Sequence, residues 1–174
     1  MIVDSNLDAL IKKHKIVDKD NCFDTTCISL SLDKKIKKYE VPDTEIITYE
    51  DDINDKYIKE IELTKRNGYV LHPNESILAC SSEKIQMPES YFGLLQTKGS
   101  LARLFVFLNC ADGQVDPGYK GKITFEIHNA SNFKIKIKPG QSVGNLYIFK
   151  TSMTAKGYHG RYQNANDPTC SKSK

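Results

Sequence analysis

Apolar positions near the start of the chain fall at Leu7, Leu10, Ile11 and Ile16, close to the spacing of one helix face. Ser5-Asn6-Leu7-Asp8 has the form of a capping box, so the pattern predicts one short amphipathic helix over about residues 6–14. Beyond it the period changes to two. Ile28, Leu30 and Leu32 alternate with Cys27, Ser29 and Ser31, and Phe133, Ile135 and Ile137 alternate with Lys134, Lys136 and Lys138. The same alternation puts Ile123, Phe125 and Ile127 on a core face and Thr124, Glu126 and His128 on the opposite one. Turn signals at Asn67-Gly68, Pro73-Asn74, Asp112-Gly113, Asp116-Pro117-Gly118 and Pro139-Gly140 separate these short runs. Many short half-buried strands between turns predict an all-β barrel or a double-layer sheet.

Composition narrows the function classes. At 174 residues the chain is expected to form one domain, 1–174, with a C-terminal tail over about 151–174. Lys plus Arg number 25 against 22 Asp plus Glu, a net charge of +3, which is too balanced for a protein that holds nucleic acid by its phosphates. No apolar run approaches the roughly 20 residues of a membrane span, and Asp4 and Asp8 interrupt any signal-peptide core, so a cytoplasmic address with no membrane partner is expected. The five cysteines, Cys22, Cys27, Cys80, Cys110 and Cys170, include no C-x-x-C pair and read mostly as buried free thiols. Residues 40–55 carry seven acidic side chains and no basic one, the pattern of a solvated loop or protruding edge. The tail holds Lys156, Arg161, Lys172 and Lys174 with Tyr158 and Tyr162, and reads either as disordered or as closing over an anion.

Candidate chemistry lies in two places. Residues 97–103, Thr-Lys-Gly-Ser-Leu-Ala-Arg, bring two cations, a hydroxyl and a glycine together, a group able to hold phosphate although it lacks the Walker frame. Glu126, on the polar face of its strand, is either a solvated carboxylate or a general acid or base.

In order and spacing, KGSLAR (98–103), GQVDPGYKG (113–121), ITFEIHN (123–129), KPGQSVGNL (138–146) and YHGRYQ (158–163) resemble the dCTP deaminase branch of the dUTPase superfamily. CISLSLDKK (27–35) and residues 68–90 resemble earlier segments of that branch, and residues 40–60 match least. The resemblance implies an all-β, distorted β-barrel or jelly-roll-like subunit of the dUTPase-like β-clip type. It also implies a homotrimer with nucleotide sites at its interfaces. Chemistry without zinc is implied too, consistent with the missing H-x-E and P-C-x-x-C ligand sets of zinc deaminases. By resemblance Glu126 activates the attacking water and Arg103 stabilises charge at the reacting centre. Lys98, Gly99, Ser100, Leu101 and Ala102 form the triphosphate-binding segment, and Mg²⁺ arrives with the triphosphate. Asp116 contacts the sugar or orders the site, Thr124 and Phe125 lie beside the pyrimidine, and Asp112 sits where a carbonyl holds the water. Asn145 follows the Pro-Gly turn, and Tyr158 and Arg161 belong to a tail that closes on the phosphates.

The chain departs from the family pattern at Lys98-Gly99, where Arg-Ser is usual, and at Asn145 and Ala165, where Gln is frequent. Three readings follow. The first is hydrolytic deamination of dCTP to dUTP and ammonia. The second is a dUTPase or a bifunctional enzyme yielding dUMP, with Asp116 as the carboxylate of the phosphohydrolase step. The third is a catalytically silent trimer that binds nucleotide or a partner.

Overall fold

The alternation along residues 123–128 is realised in a long strand at the heart of an antiparallel sheet. The protein's structure, a computed structural model, describes residues 1–20, 22–48, 51–109 and 112–171. Cys110, Lys172 and Lys174, singled out above, lie outside the described residues. Helix α1 (Asp4–His14) is followed by β1 (Phe23–Asp24), β2 (Cys27–Ser31), β3 (Lys35–Tyr39), β4 (Ile58–Glu62), β5 (Tyr69–Leu71), β6 (Ser76–Gln86) and β7 (Tyr91–Thr97). A single-turn helix α2 (Gly99–Ala102) leads to β8 (Val106–Phe107), β9 (Gln114–Val115), β10 (Lys120–Asn129), β11 (Ile135–Ile137) and β12 (Ser142–Lys150).

Two five-stranded sheets form, in the orders β1-β2-β12-β7-β9 and β4-β3-β6-β10-β8, with β5 and β11 paired beside them. Among the described residues neither sheet closes on itself, so the layers are open rather than a barrel. Their inner faces meet in one apolar cluster. Ile28, Leu30, Leu95, Leu146 and Ile148 come from the first sheet, and Ile36, Ile77, Ala79, Phe125 and Ile127 from the second. Phe125 is fully buried there, and its truncation to alanine is expected to cost about 3–5 kcal/mol. β10 pairs with β6 over most of its length and with β8 only at His128 and Asn129.

Two local expectations are corrected. The helix begins at Asp4 with Val3 as its N-cap and no side-chain cap, so Ser5 lies inside the helix and the capping box does not form. The entry is set from outside: Ile2 bridges Ile148 and the Asp4 N–H donates to the Thr25 carbonyl. Phe133 does not belong to the strand with Ile135 and Ile137 but is 68% exposed ahead of it. Buried Asn129 and Ser131 hold the chain in a bend there. Asn129 Nδ2 donates to the Phe133 carbonyl at 2.8 Å, and the Phe133 N–H donates to Ser131 Oγ.

The described part of the acidic segment 40–55 is almost entirely exposed and has no strand, as a solvated loop would be. Cys22, Cys27 and Cys80 are buried free thiols, and Cys170 is half-buried. No helix among the described residues is long and apolar enough to cross a membrane.

Candidate active site

The polar face of β10 opens onto a cavity of about 380 Å³. Thr124 and Glu126 line it from the strand, Asp112 and Asp116 from the segment before it, and Tyr158 from the tail. His128, next on the same face, is occupied elsewhere: Nδ1 is 2.9 Å from Ser76 Oγ and the ring stacks on Phe107.

Asp116 is placed by its turn. Pro117 and Gly118 take the two central positions, and the Tyr119 N–H returns to the Asp116 carbonyl at 3.1 Å. Gly118 has φ +82°, as the third residue of a type II turn requires. A Cβ there would also lie 2.6 Å from Gly157 Cα, so only glycine lets the tail approach. The tail uses that approach. The Tyr158 N–H donates to the Pro117 carbonyl at 2.8 Å, and Gln163 Nε2 donates to the Gly118 and Tyr158 carbonyls at 3.0 Å. Asp112 Oδ1 accepts from the Gln114 N–H. Tyr119 meets Tyr158 edge-on at 5.8 Å and donates to the Lys122 carbonyl, and burial pushes its phenol well above the usual range.

The segment expected to hold phosphate lies apart from this cavity. Lys98, Gly99, Ser100, Leu101, Ala102 and Arg103 do not line it, nor do Asn145 and Arg161. Lys98 is the N-cap residue of α2, and its Nζ donates to Ser142 Oγ at 3.0 Å. Gly99, Ser100, Ala102 and Arg103 are exposed, and Leu101 packs against the core. Asn145 is half-buried on β12 between Ser29 and Gln96. Arg161 lies over the Tyr162 ring at 5.9 Å.

Phe125, a residue the resemblance puts beside the pyrimidine, turns its side chain into the core as the alternation requires, away from Thr124 and Glu126.

The cavity also has walls that no local motif announces. Tyr39 comes from the end of β3, and Thr169, Cys170 and Ser171 come from the far end of the chain. The Tyr39 phenol is pushed up to about 12, first by burial and then by the neighbouring Cys170 thiol. Nearby, burial would raise the Asp33 carboxyl, but the hydrogen bond and charge of Lys122 outweigh it and hold Asp33 below the usual carboxylate range. Among the described residues no group of three or more His, Cys, Asp or Glu side chains is arranged to hold a metal ion.

The fold is shared with a solved structure. A 2′-deoxycytidine 5′-triphosphate deaminase from Agrobacterium tumefaciens superposes with a TM-score of 0.64 at 19% identity, covering 84% of this chain and 46% of that one. The chain belongs to the dCTP deaminase-like family, whose model matches residues 1–151. Among curated relatives, the "dCTP deaminase, dUMP-forming" of Corynebacterium glutamicum strain R is 38% identical over 119 residues, 65% of this chain and 63% of its own length. A protein of the same description from Acidothermus cellulolyticus is 36% identical over 119 residues, 65% of this chain and 62% of its own. The chain thus matches less than two thirds of the length of these relatives. Their dUMP-forming description overturns the first reading of the sequence, in which dUTP is the final product.

Proposed function

We propose that the chain is a dUMP-forming dCTP deaminase, converting dCTP and two waters to dUMP, ammonia and pyrophosphate. One observation carries the reading: Glu126 and Asp116, the carboxylates suited to deamination and to phosphohydrolysis, line the same cavity. The description of the curated relatives points the same way.

Glu126 takes a proton from water as hydroxide adds to C4 of the cytosine, and passes it to N3. The proton of the new C4 hydroxyl then passes to the amino nitrogen by way of Glu126, and collapse of the tetrahedral centre expels ammonia and leaves the C4 carbonyl of uracil. Without leaving the cavity, dUTP is then cleaved between its α and β phosphates. A second water, deprotonated with the help of Asp116, attacks the α-phosphorus and pyrophosphate departs. Mg²⁺ comes as part of the substrate, bound to the triphosphate.

Arg103 is exposed on its own subunit, Lys98 is half-buried with its ammonium on Ser142 Oγ, and Leu104, Phe105 and Phe107 directly after them are 44%, 64% and 50% exposed. An apolar patch adjoining a basic segment fits a contact between copies. It supports a homotrimer in which Lys98, Ser100 and Arg103 of one copy serve the cavity of the next. A cytoplasmic setting fits such nucleotide chemistry.

Purified protein given dCTP and Mg²⁺ should release ammonia and pyrophosphate in equal amounts, with dUMP as the product. Accumulation of dUTP as the end product, or pyrophosphate without ammonia, would overturn the reading. Removal of Mg²⁺ by a chelator should stop pyrophosphate release.

A further inference from the structure

Deamination reverses the hydrogen-bonding polarity of the pyrimidine edge. Cytosine presents a donor amino group at C4 and an acceptor at N3, whereas uracil presents an acceptor carbonyl and a donor N–H. A cavity that holds both in turn needs a contact able to change sign, which a backbone carbonyl cannot do and a carboxylate does only by taking up a proton, the step already assigned to Glu126. A hydroxyl pair can, because each member donates or accepts according to how the other turns.

Such a pair lies in the cavity. Thr124 is two residues before Glu126 on the same face of β10, about 6.6 Å along the strand. Thr124 Oγ1 and Thr169 Oγ1 are 2.8 Å apart, and either can be the donor. The Thr169 N–H also donates to Thr124 Oγ1, at 3.1 Å, so one lone pair of Thr124 is already used. Both residues are half-buried and line the cavity beside Glu126.

The tail is held where this pairing requires it. The Lys122 N–H donates to the Ala165 carbonyl, Lys35 pairs with Asp167 at 2.9 Å, and Pro168 is buried directly before Thr169. With Thr124 donating to Thr169, the Thr169 proton turns to the cavity. With Thr169 donating to Thr124, the Thr124 proton faces the cavity and Thr169 is left as an acceptor.

We propose that Thr169 is a specificity-determining residue, whose hydroxyl with that of Thr124 forms a reversible reader of the base edge, donating to N3 of cytosine and accepting from the N3–H of uracil. This rests on the dUMP-forming reading, which requires both bases to be held.

The test uses the full chain and its Thr169→Val, Thr169→Ala and Thr169→Ser variants. Affinities for the α,β-imido analogues of dCTP and dUTP are measured by calorimetry in the Glu126→Gln background, which keeps the cytosine analogue from being deaminated, alongside kcat/KM for both nucleotides with Glu126 intact. Thr169→Val keeps the backbone donor to Thr124 but leaves the Thr124 proton facing the cavity, where it meets the N3 acceptor of cytosine and opposes the N3–H of uracil. The dUTP analogue should bind about tenfold more weakly and the dCTP analogue within about threefold of wild type. Thr169→Ala should show the same split, and Thr169→Ser should bind both within about twofold. Equal weakening of both analogues, or no change in either, overturns the proposal. If wild type binds both analogues and turns over neither nucleotide, the dUMP-forming reading falls and the analogue split alone decides on Thr169. Wild type that binds neither analogue overturns both.

Discussion

The face of β10 and the segment 98–103 carry the two halves of the expected chemistry, and the fold treats them in opposite ways. Thr124 and Glu126 are half-buried on a strand locked to β6 and backed by a fully buried Phe125. Asp116 is fixed by a turn onto which the tail is bonded. Gly99, Ser100 and Arg103 instead sit exposed on a single helical turn, followed by exposed apolar side chains. Groups that must act on one atom at a fixed distance gain from a rigid, partly dry wall, because misplacement is costly to rate. Groups that hold a triphosphate can be brought by another copy, since charge acts over a longer range.

The largest effect should come from the rigid half. Glu126→Gln keeps shape but cannot accept the water's proton, so ammonia release should fall by at least about 10². Pyrophosphate release from dUTP should stay within a few-fold, because Asp116 is untouched. A variant that loses both activities alike would erase the distinction between the two carboxylates.

Next in size is the exposed half. Arg103→Ala should lower deamination by about 10–10², the scale of losing one charge-stabilising donor. Mixing it with Glu126→Gln should restore activity well above either variant alone, if these residues reach one site from different copies. Light scattering should show a trimer, and a monomer at working concentration would contradict the division.

A smaller effect concerns the support beneath the cavity. The Asp33 carboxyl is held below its unfolded value of about 3.9. Its contribution to stability is therefore present above about pH 4 and is lost as pH falls through its lower folded value. Asp33→Asn should flatten the acid limb of the unfolding curve. Lys122→Met leaves a partly buried carboxylate unpaired and should cost about 1–3 kcal/mol at neutral pH in denaturant titration.

The smallest effect is at Gly99. It opens α2 without left-handed backbone, and a Cβ there would meet only the mobile Nη1 of Arg103, at 3.3 Å. Gly99→Ser should therefore fold normally and tighten dCTP by about threefold, read as KM. A loss of turnover would mean that the absence of a side chain is itself adapted to the substrate.

Period-two alternation made the wall of the site legible, since the residues that face the cavity are those that do not face the core. The same rule was extended too far at Phe133, where Asn129 and Ser131 bend the chain before the strand begins. It also gave Phe125 its true direction while the family resemblance placed it beside the base. Asp116-Pro117-Gly118 was legible because its turn type demands those residues. Tyr39 and Thr169 were not: Tyr39 reaches the cavity from the end of β3, and Thr169 meets Thr124 through the path of the tail, a contact across 45 residues that no local spacing encodes.

The most direct test of one cavity serving both steps is a chase. Protein is given labelled dCTP with Mg²⁺ in the presence of excess unlabelled dUTP, and the labelled products are separated over a single turnover. Labelled dUMP should appear with no labelled dUTP, because the uracil nucleotide never leaves the site between Glu126 and Asp116. Label collecting in free dUTP would show two separate binding events and contradict a shared cavity.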